Sequence, residues 1–191
     1  MKTVGTMLFP VVNADIKADE AAEAIEKFLK KRPDGRWVLL GNHAVQSTEQ
    51  LWAAWTKAAR NELRGTMVAR SIDAEFIRYL AGTHHISEAF ARAGLQNGQT
   101  SAWIVCLPEA GEIQAESGHA QPQPVFPANF GNRAEAFLSS LGWGLSESAM
   151  CYSIEGAKQL GIDVESWVSD RRFESLVAHV LMADDQSSSH R

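Results

Sequence analysis

Residues 71–94 read SIDAEFIRYLAGTHHISEAFARAG, and this stretch decides how the fold is interpreted. Ser71 is a favourable N-cap residue, and the apolar side chains after it form two rows, so the pattern predicts a largely buried helix. The rows are Ile72, Phe76 and Leu80, and Ala74, Ile77 and Ala81. Gly82 breaks that helix. A second stripe predicts another helix, closed by Gly94, with apolar residues Ile86, Ala89, Phe90 and Ala93.

On the N-terminal side of this stretch, helices and strands alternate. The hydrophobic pattern predicts an amphipathic helix over residues 17–31 and a buried strand over residues 37–40. Ser47 and Gln50 have the spacing of a capping box, which opens a helix that ends near Gly65. The apolar N-terminus is interpreted as a first strand ending at Pro10 rather than as a signal peptide.

On the C-terminal side, a second strong strand is predicted over residues 103–107, and Pro108 stops it. Residues 109–132 contain three prolines among polar and acidic residues, which predicts a surface loop, disordered in part and inserted into the domain. The later segments are a helix over residues 133–141, short helices over 155–160 and 164–168, a helix or strand over 173–182, and a disordered tail over 186–191.

This mixture of elements predicts a single α/β (α+β) domain over residues 1–185. We expect a small mixed or antiparallel sheet that packs against several helices. Asp184 and Asp185, close to the tail, are expected to be solvated. No glycine-rich phosphate loop follows a predicted strand, so neither a Walker loop nor a Rossmann fingerprint is indicated.

The net charge of −5 argues against a protein that coats nucleic acid through a broad basic surface. Its distribution is uneven, because the chain after residue 94 is strongly acidic. Residues 57–70 hold four basic residues against one acidic residue, Glu62, so a small local contact with an anion stays open. Two cysteines and no long apolar run favour a reducing, cytoplasmic compartment without a membrane segment.

Metal binding and nucleophilic catalysis find little support in the sequence. Adjacent helical side chains point about 100° apart, so His84 and His85 are not expected to share a metal. The other histidines lack metal-ligand spacing: His43, His119, His179 and His190. Cys106 lies in an apolar strand, which predicts a buried thiol. A pair of Cys106 or Cys151 with a histidine stays open in space, although no motif supports it.

Residues 71–94 also have the outline of a helix-turn-helix. A recognition helix needs polar and basic side chains that reach base edges and phosphates. The second helix offers only Ser87, Glu88 and Arg92 for that purpose. Recognition of DNA is therefore not expected.

The same residues carry a family resemblance. Residues 71–90 resemble the central signature of the PRPK-binding protein family, the small kinase-associated subunit of the KEOPS complex. The resemblance extends over residues 36–108 and more loosely over residues 133–185. His84 and His85 stand where the turn of the family usually carries Arg or Gln, and His179 stands at a position of Arg or Lys.

The resemblance implies a non-catalytic subunit without a cofactor. It implies two partners: the small kinase/ATPase of KEOPS and the single-stranded 3′ CCA end of tRNA. The complex places the N6-threonylcarbamoyl group on adenosine 37 of tRNA. The implied tRNA-binding residues are Lys57, Arg60, Arg70, Gly82, Thr83, His84 and His85. Two alternatives stay open: a protein adapter of the same fold without RNA binding, and a small enzyme that uses Cys106 or a histidine.

Overall fold

A computed structural model describes residues 8–17, 20–114 and 120–187. An antiparallel four-stranded sheet lies at the centre of these residues, in the order β2-β3-β1-β6. Strand β3 pairs with both neighbours, so that Ile104 lies opposite Leu39 on one side and Val12 on the other. The strands of this sheet are β1 Val11–Asp15, β2 Trp37–Gly41, β3 Ser101–Cys106 and β6 Gly144–Ser146.

Helices cover both faces of the sheet. They are α1 Ala21–Lys31, α2 Thr48–Arg64, α3 Ile72–Leu80, α4 Ile86–Ala93, α5 Phe130–Leu141, α6 Ile154–Gln159 and α7 Arg172–Leu181. Successive strand residues point to opposite faces, which divides the core into two clusters. Trp37 and Ile104 pack with α1 and α5, whereas Leu40 and Val105 pack with α2, α3 and α7. The predicted single domain of α/β class is confirmed.

The ends of α2 follow the sequence prediction at Ser47 and Gly65 and depart from it at Gln50. The Ser47 hydroxyl accepts a hydrogen bond from the Gln50 amide at 3.1 Å. The Gln50 side chain accepts one from the Gln46 amide at 3.2 Å, one residue before the position that a capping box would use. Gly65 ends the helix in the left-handed region, at φ +65°.

The surface loop expected over residues 109–132 is wrong for most of its length. Strands β4 Glu109–Gln114 and β5 Ala120–Val125 form an antiparallel hairpin that packs against α2. Pro122 and Pro124 are two residues apart, so both missing N–H groups belong to the same edge of β5. When these two positions face away from β4, the hydrogen bonds between β4 and β5 stay intact. The outer edge of β5 then has fewer N–H donors for another strand.

Other boundaries differ from the sequence predictions. The first strand begins after Pro10 instead of ending there, and the Pro10 carbonyl accepts the Cys106 amide at 2.9 Å. Residues 173–182, predicted as helix or strand, lie in α7 and the first residue of a 3-10 turn, Met182–Ser187. This turn includes the first two residues of the predicted tail. Residues 1–7 and 188–191, on which the remaining terminal predictions fall, lie outside the described residues.

Candidate functional site

The turn between α3 and α4, residues 81–85, is called the signature turn below. Gly82 has φ +58°, a left-handed conformation that favours glycine. The Thr83 amide donates to the Arg78 carbonyl at 3.2 Å and the Gly82 amide donates to the Tyr79 carbonyl at 3.0 Å. These two bonds form a Schellman motif, which fixes the path of the chain as it leaves α3.

Thr83 is fully buried and orders the turn from inside. Its hydroxyl donates to Glu88 at 2.7 Å and accepts the His85 amide at 3.2 Å. The other Glu88 oxygen accepts a 2.6 Å bond from Arg92, which also donates to the Ala81 carbonyl. The hydrogen bond from Thr83, helped by the charge of Arg92, lowers the pKa of Glu88. Thr83 thus shapes the turn and offers no side-chain surface to a ligand.

His84 and His85 are the outer side chains of the signature turn. His85 is exposed and His84 is half-buried. Their rings meet edge to face, with centroids 6.2 Å apart. The His84 Nδ1 atom is buried and has no hydrogen-bond partner in the described residues. The exposed imidazole of His85 is therefore the group that the turn presents to solvent.

His179 supports the signature turn from beneath. It is buried, and its Nε2 atom lies 2.9 Å from both the Ala81 and the Leu160 carbonyl oxygens. Burial is the main reason that its pKa is lowered, so the ring is neutral at pH 7 and Nε2–H donates to the two carbonyls. A Cβ atom on Gly82 would overlap this ring. His179 is thus a packing residue.

The predicted basic residues do not join the signature turn in one cluster. Arg70 is exposed before the start of α3, whereas the turn follows its end; nine helical residues separate them by about 13 Å. Lys57 lies on α2, with its Nζ atom 3.6 Å from Asp184. Arg60 is half-buried on the same helix. The structure brings together Gly82, Thr83, His84 and His85, places Arg70 at the other end of α3, and places Lys57 beside the Tyr79 ring, 5.8 Å from its centroid.

A buried charge network, missed by the sequence analysis, lies along α3. Glu75 and Arg78 have fully buried side chains and are joined by a 2.9 Å ion pair. Glu75 also accepts hydrogen bonds from the Asn61 side chain and the Ala69 amide. Burial alone would raise the pKa of Glu75, but the hydrogen bonds from Arg78 and these groups outweigh it and lower the pKa.

Asp184 belongs to this network while its side chain stays 46% exposed, so the predicted solvation holds only in part. Its carboxylate accepts bonds from Arg78 at 3.1 and 3.2 Å and lies 3.0 and 3.1 Å from the Tyr79 hydroxyl. One sequence signal pointed to such a network. Because apolar residues occupy two sides of α3, few exposed positions remain on this helix for the charged residues Glu75 and Arg78.

Among the residues that the structure describes, neither cysteine forms a nucleophile pair with a histidine. Burial raises the pKa of the Cys106 thiol to about 11, which keeps it protonated. Cys151 is exposed beside a polar cavity of about 420 Å³ that His43 also lines. Both ring nitrogens of His43 are engaged, one with the Arg92 carbonyl at 2.7 Å and one with the Gln99 amide at 3.0 Å. His43 therefore has no nitrogen ready to take the Cys151 proton.

Neither a metal cluster nor a membrane span emerges from the described ranges. Over residues 8–17, 20–114 and 120–187, no three histidine, cysteine or acidic side chains come together as metal ligands. In the same ranges, no helix combines the length and apolar character needed to cross a membrane. His119 and His190, considered as ligands from the sequence, lie outside the described residues.

The fold and the site define a class of protein: a single mixed α/β domain that presents a hydrogen-bonded turn between two helices. The model of the family described as kinase binding protein CGI-121 matches residues 14–125, more than half of the chain. The chain belongs to this family of kinase-binding proteins. The match contains the end of β1, the strands β2 to β5, the helices α1 to α4 and the signature turn. A comparison with proteins of curated function finds no match.

Proposed function

We propose that this protein is a non-catalytic, cytoplasmic subunit of the KEOPS complex, which modifies adenosine 37 of tRNA with a threonylcarbamoyl group. In that role it binds the small kinase/ATPase of the complex and the 3′ CCA end of tRNA. The match of residues 14–125 to a family of kinase-binding proteins is the observation that carries the proposal. The resemblance of residues 71–90 to the family signature supports the particular complex.

Exposed apolar side chains support the kinase-binding role. Phe173, Val177 and Leu181 are spaced four residues apart, so they lie along one side of α7. Phe173 and Leu181 are exposed, as is Met182 immediately after the helix. Adjacent exposed apolar groups of this size are typical of protein-binding surfaces. We propose this stripe as the surface that contacts the kinase.

A second exposed apolar surface lies within the residues that match the family model. It is compared with the α7 stripe as the alternative kinase-binding surface. Leu29 on α1 and Phe90 on α4 are exposed at a groove of about 130 Å³ beside β2. Co-purification with the kinase should be lost in F173A/L181A and kept in L29A/F90A. The reverse result would move the kinase-binding surface to the groove, and retention by both double variants would refute both assignments.

Local chemistry of the signature turn supports binding of an RNA end. A single-stranded end is recognised by base stacking and edge hydrogen bonds, with few phosphate contacts. The exposed His85 ring offers a stacking face, and the hydrogen bonds of Thr83 hold the turn in position. A net charge of −5 is compatible with such a local contact.

A mobility-shift experiment tests the RNA half of the proposal. Intact tRNA should bind the protein more tightly than the same tRNA that lacks its 3′ CCA. Equal binding of both RNAs would refute recognition of the CCA end. Mass spectrometry of proteins that co-purify from native lysate should identify a small kinase/ATPase, and its absence would contradict the assignment to KEOPS.

A protein adapter without RNA binding is the second candidate. Two observations favour it: Thr83 is buried, and Lys57 is paired with Asp184, so two of the seven candidate residues offer little to RNA. This candidate predicts co-purification of the kinase together with no shift of either tRNA.

A further inference from the structure

We propose that Lys57, Arg78 and Tyr79 form a binding site for an RNA phosphate, and that the carboxylate of Asp184 occupies this site in the isolated chain. The 3-10 turn Met182–Ser187 would then act as an autoinhibitory latch. The identity of the ligand as RNA rests on the proposed function, whereas the site itself rests on the geometry around Asp184.

Three donors of different chemistry converge on Asp184. Both terminal nitrogens of Arg78 donate to Oδ1, at 3.1 and 3.2 Å. The Tyr79 hydroxyl accepts a hydrogen bond from Asn61, so its own proton is available for Asp184. Lys57 Nζ lies 3.6 Å from Oδ2. A guanidinium, a phenol and an ammonium group around one anion are also a suitable donor set for phosphate.

The donors would keep their positions if Asp184 left. Glu75 accepts the Nε–H of Arg78 at 3.3 Å and one Nη2–H at 2.9 Å. The Glu75 carboxylate therefore holds one side of the Arg78 guanidinium. The N–H groups on the other side face Asp184. An incoming phosphate would therefore meet an ordered guanidinium.

The surroundings of the site favour a polyanion over a single carboxylate. Lys57, Arg60 and Arg64 are spaced three and four residues apart, so they lie along one side of α2. Neither arginine has an ion-pair partner among the described residues. A row of cations that continues away from the Asp184 site suits consecutive phosphates of an RNA strand.

The position of Asp184 suits a displaceable group. Its side chain is 46% exposed, and it lies in a short 3-10 turn. Ala183, the preceding residue, is fully buried and fixes the end of α7. Release of the site therefore requires movement only of the residues after Ala183.

Binding of labelled tRNA by D184N and D185N tests the latch. The two variants lose the same charge at neighbouring positions, and the amide of D184N keeps an oxygen for Arg78. We expect D184N to bind tRNA at least fivefold more tightly than wild type. Its binding constant should also fall more steeply with salt concentration, by the slope expected for about one additional phosphate contact. D185N should change binding less than twofold. Equal gains in both variants would indicate net charge alone, and no gain in D184N would overturn the latch.

A double variant and a second probe complete the test. K57Q/D184N should lose the gain of D184N, because Lys57 would then supply no phosphate contact. Inorganic phosphate should shift the Arg78 Nε–H resonance of D184N saturably and leave that of wild type unchanged. D184S provides the same readouts if D184N folds poorly by circular dichroism.

The two probes separate the latch from the proposed function. If wild type binds tRNA through its CCA end and D184N gains affinity for neither probe, the latch is refuted and the function stands. If D184N binds phosphate while neither protein binds tRNA, the anion site stands, and both RNA as its ligand and the RNA-binding function are refuted.

Discussion

The turn that follows α3 and the buried side of α3 are stabilised by partners at different distances along the chain. At the C-terminal end of α3, the signature turn is ordered mainly by Thr83, Glu88 and Arg92, all within ten residues of Gly82. Along its buried side, Arg78 depends on Asp184, which is 106 residues away. Local sequence therefore specifies the shape of the turn, whereas the buried charges specify where distant segments are placed against α3.

The largest loss of stability is expected from Arg78→Met. This substitution removes the cation while the Glu75 carboxylate stays buried, so the free energy of unfolding should fall by about 3–5 kcal/mol. Urea unfolding followed by circular dichroism measures the change. The double variant E75Q/R78M, which removes both charges, should be more stable than R78M. If the double variant is the less stable of the two, the buried carboxylate is not the cause of the loss.

Gly82→Ala is expected to have the next largest effect. Two costs add at Gly82, because its φ is positive and a Cβ atom would overlap the His179 ring. Gly65→Ala is the matched control, since Gly65 also has a positive φ but open space around it. We expect G65A to cost about 1–2 kcal/mol. G82A should cost about 1–3 kcal/mol more, for displacement of the ring. Equal melting temperatures for the two variants would contradict the packing role of His179.

The sequence predicts well those parts of the fold that depend on short-range patterns. The rows of α3, the break at Gly82 and the apolar strands β2 and β3 follow from periodicity and glycine position. The hairpin β4–β5 could not be predicted in this way, because its prolines are compatible with a strand only when an edge is free. Strand β6 is three residues long, too short to show a period.

The site was predictable to a similar extent. Gly82 and Thr83 follow a helix pattern, which marks a turn, so the signature turn could be found from the sequence. The roles of the basic residues could not, because the pairing of Lys57 with Asp184 depends on how α7 packs against α2. His179 has no local signal that separates a buried ring from an exposed one.

The stability of the folded protein should depend on pH through His179, which packs against the signature turn although it is distant in the sequence. The pKa of His179 is lowered in the folded protein, so the unfolded chain binds a proton first as the pH falls. The contribution of His179 to stability is therefore complete above the unfolded pKa of about 6.5 and declines below it. The free energy of unfolding of wild type should decrease from pH 7 to pH 5.

Two variants isolate this contribution. His179→Gln retains an N–H donor for the carbonyls but does not titrate, so the decrease between pH 7 and pH 5 should be smaller than in wild type. Ser87→Ala, an exposed substitution that changes no titratable group, should leave the slope unchanged. Identical slopes for wild type and H179Q would assign the pH dependence to another group, such as the half-buried His43, whose pKa is also lowered by burial.

The smallest change in stability is expected at the outer face of the signature turn, where function and stability should separate. His85→Ala removes an exposed ring whose backbone amide keeps its bond to Thr83, so the free energy of unfolding should change by less than about 0.5 kcal/mol. If this ring stacks on a base, the binding free energy for tRNA should weaken by about 1–3 kcal/mol. Ser87→Ala, an exposed position one residue into α4, is the matched control and should change neither quantity. Unchanged tRNA binding by H85A would place the RNA contact elsewhere and leave the signature turn a purely structural element.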